Sequence, residues 1–183
     1  KIEEKDYYIG KYEVTQAQWQ AVMGNNPSYF KGADRPVENV NWYDAMRFCN
    51  KLNYLGLAPR GYEFTLPTEA QWEYAARGGN ESKGYKYSGS NDVDEVAWYE
   101  KNSGGQTHPV GEKKPNELGL YDMSGNVCEW CLDADGPYRI LRGGSLCYDA
   151  YSCRVACRSD RPDGRSYSYG SSSGFRLALV PVQ

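Results

Sequence analysis

The sequence lacks the features that would place it among membrane, nucleic-acid-binding or histidine-dependent metal proteins. No apolar stretch approaches the roughly 20 residues of a membrane-spanning helix, so we expect no membrane insertion. Lysine and arginine form no cluster and the net charge is −3, which argues against a nucleic-acid partner. The single histidine, His108, cannot supply the histidine set of an iron site.

The six cysteines follow no pattern that defines a metal or redox site. Cys128 and Cys131 form a C-x-x-C that has no second pair and no neighbouring histidine, so we expect them to be structural. At 183 residues the chain is long enough to fold without a disulfide framework, although spacing alone leaves a disulfide open.

What the sequence does contain is one aromatic-rich core. With 40% hydrophobic residues, 17 Tyr and 5 Trp, it predicts a single domain over residues 1–183. Capping boxes at Thr15 and Thr68 predict helices over TQAQWQAVM and TEAQWEYAAR, and a third helix runs from an Asn41 cap to Gly56. DYYIGKYEV, EFTLP, YRILRGGS and GFRLALV read as strands. Residues 82–119 read as loop, which predicts organising contacts there.

An ordered set of segments resembles a known superfamily over almost the whole chain. YYIGKYEVTQAQW, FTLPTEAQWEYAAR, NELGLYDMSGNVCEW, RILRGGS and GFRLAL are similar to the formylglycine-generating-enzyme, or sulfatase-modifying factor, superfamily. The resemblance implies an α+β fold of the variant C-type-lectin type, which is irregular and loop-rich, with a few helices and a small antiparallel sheet. It does not by itself imply a function.

The enzymatic members of the superfamily use copper held by a C-x-x-x-x-C pair shortly after the RGGS strand. In this chain Cys147 and Cys153 are separated by five residues, so neither cysteine is in the enzymatic register. Activation of a thiolate needs nearby positive charge or a base, and only Arg154 and Arg158 are available. We therefore expect no catalytic residue. A copper-dependent oxidase of protein cysteine remains the alternative.

Residues 146–173, which we call the variable segment, have an unusual composition. They contain no Lys, Glu, Gln, Met or Trp, the five types that codons ending in a pyrimidine cannot encode. Mutagenesis of adenines in AAC and AAT codons would leave this pattern. Together with the scaffold RGGS…A..CRVA.R…P..R…GFRLA, the pattern resembles the variable region of proteins diversified by diversity-generating retroelements.

The chemistry of the variable segment is that of an antibody-like binding surface, because Tyr supplies rigid contact area and Ser, Gly and Asp supply adaptable hydrogen bonds. We expect affinity to come from the tyrosines and specificity from Asp and Arg. The predicted ligand-binding residues are Cys147, Tyr148, Asp149, Tyr151, Ser152, Cys157, Ser159, Asp160, Arg161, Asp163, Gly164, Ser166, Tyr167, Ser168 and Tyr169.

Other interpretations of the same segment stay open. It could be a flexible Ser/Gly loop, its tyrosines could belong to the core, or the whole chain could be a structural accessory domain with an inert surface. A phosphate cradle is disfavoured because no P-loop Lys and no helix start follow GRSYSYGSSSG.

Two further groups of residues have predicted structural roles. We expect Arg142, Arg154, Arg158 and Arg176 to bind carboxylates and loop carbonyls of the frame. Asn116, Asp122, Asn126 and Glu129 offer oxygen ligands for a structural calcium ion, or act as ordinary turn caps.

The overall expectation is a monomeric, non-enzymatic binding protein that requires no cofactor. Its partner would be an unidentified protein or cell-surface ligand. The resemblance implies display at the cell surface or outside the cell.

Overall fold

The computed structural model describes residues 6–162 and 170–183. Its helices are α1 (Gln16–Met23), α2 (Trp42–Tyr54), α3 (Glu69–Ala76) and the single turn α4 (Val93–Val96). Its strands are β1 (Tyr8–Ile9), β2 (Tyr62–Thr65), β3 (Cys128–Asp135), β4 (Tyr138–Arg142), β5 (Arg158–Pro162), β6 (Ser173–Gly174) and β7 (Ala178–Pro181). None of the helices in these ranges combines the length and apolarity that crossing a membrane requires.

The three predicted helices are confirmed, and their caps explain where they begin. The Thr15 and Thr68 side chains each accept a hydrogen bond from the backbone amide three residues on. The side chain of the Gln at that position in turn accepts one from the Thr amide. Asn41 forms the same reciprocal cap with Asp44, and Gly56 has a φ of 72° where the chain leaves α2. Cys49 is fully buried on α2.

Two small sheets carry the frame. β1, β7 and β2 form an antiparallel three-stranded sheet in that order, and the second sheet has the order β5-β4-β3-β6 with β6 parallel to β3. The predicted strand over residues 6–14 shortens to β1, and the final strand begins at Ala178 rather than in GFRL. The sequence reasoning missed β3 and β5.

Side chains of β3 and β4 point into two different cores. Trp130 and Leu141 pack with Trp19, Phe48 and Phe175 on the side of α1 and α2. The opposite side joins α3 and contains Trp72, Met123, Cys131, Ile140 and Val155. Since the second sheet is covered on both faces, it forms a rigid support for the chain that follows β4.

The long loop between α3 and β3 is organised by its own polar side chains, as its length predicted. Asn116 donates to the carbonyl oxygen of Ala75 at 2.9 Å and accepts from the amides of Leu118 and Leu120. The His108 ring stacks on Trp98 with centroids 3.8 Å apart. His108 is thus a loop residue, as expected.

Candidate functional site

The variable segment follows directly on a turn at Gly143 and Gly144 that only glycine fits. Gly143 and Gly144 have φ values of 99° and 69°, in the left-handed region. A Cβ on Gly144 would lie 2.6 Å from the Cys153 sulfur, and one on Gly143 would lie 3.2 Å from the Trp72 ring. This turn lets the segment fold back closely over the scaffold.

The buried residues of the described part of the segment are all scaffold residues, although the scaffold residues Ala156 and Arg158 are exposed. Leu146, Cys153 and Val155 are 4%, 0% and 2% exposed, and all three lie outside the predicted binding set. Every predicted binding residue between positions 147 and 159 is exposed or half-buried: Cys147, Tyr148, Asp149, Tyr151, Ser152, Cys157 and Ser159. The structure thus gathers these seven on the outer side of one short stretch.

Tyr151 is the most exposed aromatic residue among them, at 66%. The Arg154 guanidinium lies over its ring, 3.5 Å from the centroid. Arg154 also donates to the Tyr151 carbonyl at 3.0 Å and contacts the Cys157 sulfur at 3.3 Å. These contacts hold Tyr151 in one position, so that its ring is a preorganised anchor.

Asp149 and Ser152 fix the turn before Tyr151. The Asp149 carboxylate accepts hydrogen bonds from the Ser152 amide at 2.9 Å and from its hydroxyl at 2.8 Å. These bonds, the backbone one first, lower the pKa of Asp149, which therefore stays ionised at the surface.

Tyr148 differs from Tyr151, because it is half-buried and packs against the core on the side of α1 and α2. Its carbonyl accepts from the Glu100 amide at 3.0 Å. We therefore expect Tyr148 to serve packing as well as the surface.

The rest of the predicted set lies at or beyond the end of β5. Asp160 and Arg161 belong to β5 by backbone pairing with Ile140 and Arg139. Asp163, Gly164, Ser166, Tyr167, Ser168 and Tyr169 lie outside the described residues.

An ion-pair network holds the start of β5, which lies within the variable segment. Arg158, at the start of β5, donates to the Glu69 carboxylate on α3 at 2.7 Å and pairs with Asp135 at 3.3 Å. Arg142 on β4 donates to the same Glu69 at 3.2 Å and to Glu73 at 2.7 Å. Burial alone would raise the pKa of Glu69, but the bonds from Arg158 and Arg142 outweigh it and lower that pKa.

The exit of the segment is held by the backbone. The Asn39 amide donates to the Gly170 carbonyl at 2.5 Å, and Asn39 itself has a φ of 60°. A Cβ at Gly174 would come within 2.4 Å of the Val37 carbonyl oxygen, so the chain passes too close for any larger residue. Sequence reasoning missed Glu69, Asp135 and Asn39, because the groups they bind are distant in sequence.

A buried charge cluster lies beneath the frame and includes three of the residues predicted to bind calcium. Arg176, 0% exposed, donates to both oxygens of Glu129, at 2.5 and 3.0 Å. It also binds the carbonyl oxygens of Gly10 and Tyr121. The predicted structural role of Arg176 is confirmed, as is that of Arg142.

The predicted calcium ligands already have protein partners. Glu129 accepts from Arg176 and from the Trp72 indole, and the Asn126 oxygen accepts from the His108 amide. Asn116 lies apart and bonds the end of α3. Only Asp122 keeps a buried oxygen without a partner, Oδ1. Because a guanidinium supplies the positive charge here, these residues fit Arg176 better than a calcium ion.

Around Arg176 the carboxyl groups outnumber the cation. Glu13 accepts from Asn126 at 2.9 Å and from the Val127 amide. Burial, with added repulsion from Glu129 and Asp122, raises the pKa of Glu13 well above its usual value. Within residues 6–162 and 170–183, no three His, Cys, Asp or Glu side chains are grouped so as to hold a metal ion.

All six cysteines are free thiols, and their positions bear on the oxidase alternative. Cys153 is fully buried, which raises its pKa to about 12, whereas Cys147 is exposed. Cys128 and Cys131 lie on opposite faces of β3, in different cores, so they cannot bind one ion together.

The sequence and the fold agree with those of a known family. The model of the sulfatase-modifying factor enzyme 1-like domain matches residues 1–180, and the chain belongs to this family. The structure of Treponema denticola variable protein 1 superposes with a TM-score of 0.86 at 39% identity, covering 96% of this chain and 84% of that one. The resemblance to retroelement-diversified variable proteins and the irregular α+β, C-type-lectin-like fold are thereby confirmed.

Two relatives extend the comparison in different directions. The chaperone protein LppX of Paenibacillus barcinonensis is 43% identical over an alignment of 194 positions, gaps included, and the match covers 76% of this chain and 69% of LppX. The formylglycine-generating enzyme of Streptomyces coelicolor is 32% identical over 204 residues. That match covers 90% of this chain but 59% of the enzyme, so this chain spans about six-tenths of the enzyme's length.

Proposed function

We propose that this chain is a non-enzymatic ligand-binding protein, in which a rigid C-type-lectin-like scaffold displays a diversified surface. The observation that carries the proposal is the separation by exposure in residues 146–159. Every buried position there is a scaffold residue, and each of the seven predicted binding residues is exposed or half-buried. Side chains that face solvent can vary at little cost in stability.

Two fixed points of the variable segment support the same function. Arg158 ties the segment to α3, and the Gly170 carbonyl accepts from the Asn39 amide. Described side chains beside such fixed points lose little conformational entropy on binding, so changes of these side chains act on affinity rather than on folding.

The ligand, in this proposal, is a protein or another cell-surface molecule. The exposed Tyr151, with Asp149 and Ser152 beside it, has the composition of a protein-binding surface. The similarity to a variable protein and to a protein named as a chaperone supports an interaction with other proteins and a location at or outside the cell surface.

A second candidate is a copper-dependent oxidase of protein cysteine, which the 32% identity to a formylglycine-generating enzyme favours. It requires two accessible thiolates, and burial of Cys153 opposes this. It predicts copper uptake and turnover of a cysteine-containing peptide, both lost in Cys147→Ser. A structural accessory domain, the third candidate, predicts neither turnover nor binding at this surface.

Peptides selected for binding test the proposal, because their affinities for the Tyr151→Ala and Tyr54→Ala variants can be compared. A random peptide library displayed on phage is panned on the wild-type chain, and synthetic copies of the selected peptides are measured by calorimetry. Tyr151→Ala should weaken binding tenfold or more, because it removes the central aromatic anchor. Tyr54→Ala is the matched control, since Tyr54 is 88% exposed outside the segment, and it should change affinity less than threefold.

The same two variants separate a surface role from a core role. Both should unfold within about 0.5 kcal/mol of the wild type, as exposed substitutions do. Equal binding to both variants would contradict the proposal. A large loss of stability in Tyr151→Ala would place Tyr151 in the packing instead.

A further inference from the structure

A small cavity opens between the glycine turn after β4 and the first residues of β5. Its volume is about 90 Å³. Cys128, Leu141, Gly143 and Gly144 line it on the scaffold side, and Cys128 and Leu141 are only 1% and 0% exposed. The cavity therefore reaches from the outer surface down to the core.

The remaining wall comes largely from the predicted variable positions. Tyr151, Ser152, Cys157 and Ser159 line it, together with the scaffold residue Arg158. Ser159 is paired with Leu141 across β4 and β5, so both side chains point to the same face of the sheet. A larger residue at position 159 would thus fill the space above Leu141.

The size and lining of the cavity limit what can enter it. A cavity of about 150 Å³ holds benzene, so one of 90 Å³ is too small for an aromatic ring but large enough for a short aliphatic group. Leu141 and Cys128, both buried in the core, give the cavity an apolar base, whereas Arg158 makes part of its wall polar. The hydroxyl groups of Ser152 and Ser159 and the exposed Tyr151 ring belong to the outer wall, where a ligand backbone would lie.

We infer that this cavity is the socket for one short aliphatic side chain, of the size of valine, presented by a protruding segment of a protein ligand. The inference rests on the proposed function and adds to it the chemistry of the contact. Fixed residues form the base, and diversification at positions 151, 152, 157 and 159 changes the size and polarity of the opening. A filled pocket beside an aromatic anchor is the usual arrangement of an interface hot spot.

Cys157 allows the socket to be tested without a known ligand, because it is a half-buried thiol among the residues that line the cavity. In a Cys147→Ser background the chain is treated with isopropyl or benzyl methanethiosulfonate. The Cys157 thiolate attacks the sulfenyl sulfur, a mixed disulfide forms, methanesulfinate leaves, and the thiol proton passes to solvent. Tethering raises the effective concentration of the attached group at the opening into the millimolar range.

The isopropyl group should enter the socket and the benzyl group should not. The isopropyl adduct should therefore shift the amide resonances of Gly143 and Gly144 and should resist reduction by 2-mercaptoethanol at least fivefold longer than the benzyl adduct. Ser159→Leu fills the socket and should abolish both differences, whereas Ser159→Ala should keep them. Equal reduction rates for the two adducts, or unmoved glycine resonances, would overturn the inference.

The selected peptides then test whether a protein ligand uses the socket. Peptides that need Tyr151 should also contain an aliphatic residue whose replacement by Gly weakens binding about tenfold, and Ser159→Leu should weaken them as much. If the peptides need Tyr151 but bind Ser159→Leu normally, the socket inference is wrong and the proposed function stands. If they need neither Tyr151 nor an open cavity at Ser159, the inference and the proposed function are both wrong.

Discussion

Arg176 has no contact with solvent, and three carboxyl groups surround it: Glu13, Asp122 and Glu129. Glu129 accepts both hydrogen bonds that Arg176 donates to carboxylates, and burial raises the pKa values of Glu13 and Asp122. Breaking a buried pair of this kind costs about 3–5 kcal/mol, because it leaves a charge without a partner. The cluster joins the N-terminal strand, the long loop, β3 and the closing segment at one point.

Asp122 makes this cluster sensitive to pH. Burial raises its pKa to about 6, although the Gly111 amide and the Arg176 charge oppose the shift. Because the unfolded value is about 3.9, the folded chain binds the proton more tightly. The stability that this group contributes is therefore complete below about pH 4 and is lost as the pH rises through about 6.

Asp122→Asn should accordingly stabilise the chain at pH 7.5, on the order of 1–2 kcal/mol, because it removes a buried charge. Asn keeps an acceptor for the Gly111 amide and tolerates the φ of 60° at this position. Urea unfolding at pH 4.5 and 7.5 measures the effect, which should be markedly smaller at the lower pH. Asp34→Asn, at an exposed carboxylate, is the control. A gain that is independent of pH would show that Asp122 does not titrate as described.

At the scale of elements, β5 is held by side chains that belong to other elements. Its residues pair only with β4 among the described strands, and Arg158 adds bonds to α3 and β3 through Glu69 and Asp135. The Arg158 side chain is 43% exposed, so the pairs contribute little to global stability. Their role is to fix the position of the strand that carries Ser159.

Arg158→Ala should therefore loosen β5 without unfolding the chain. We expect the free energy of unfolding to fall by about 1 kcal/mol or less. Amide hydrogen exchange in the β4–β5 ladder should accelerate about tenfold, since local opening is governed by local contacts. Arg77→Ala is a matched control, because Arg77 is 44% exposed and pairs with Glu73 without touching β5. Equal exchange rates in the two variants would show that Arg158 does not hold the strand.

The same elements show how far sequence reasoning reaches. Helix starts were predictable because the capping groups at Thr15, Asn41 and Thr68 lie within three residues of the groups they bind. β3 was missed because Cys128, Glu129, Trp130 and Cys131 are all buried, and a strand covered on both faces loses its alternation. β5 was missed because its sequence, RSDRP, has no apolar alternation, and its position depends on pairing with β4.

The candidate surface was predictable to a similar extent. The composition of the variable segment marked seven described positions between 147 and 159, none of which is buried, but it did not mark the exposed Ala156 and Arg158. The cavity could not be predicted, since its base combines Cys128 and Leu141 from two strands with a glycine turn. The sequence also could not decide between a calcium ion and a protein cation near Glu129. The cation that binds Glu129 is Arg176, which lies 47 residues further along the chain.

At the scale of the whole molecule, stability and recognition are carried by different side chains of the same segment. Val155 is 2% exposed and packs with Trp72 and Ile140. Cys147, Tyr151 and Cys157, by contrast, belong to no hydrophobic core of the described chain. Replacing Cys147, Tyr151 and Cys157 together by Ser should change the free energy of unfolding by less than about 1 kcal/mol, because exposed positions contribute little. Val155→Ala alone should cost about 2 kcal/mol, since it opens a cavity in the core.

Urea unfolding of the two variants beside the wild type decides the point, with amide resonances of Trp72 and Ile140 as the check on the core. In the triple variant those resonances should stay in place while binding of the selected peptides is lost. A triple variant as unstable as Val155→Ala would mean that the exposed residues support the fold, and a surface of that kind could not vary from copy to copy without unfolding the chain.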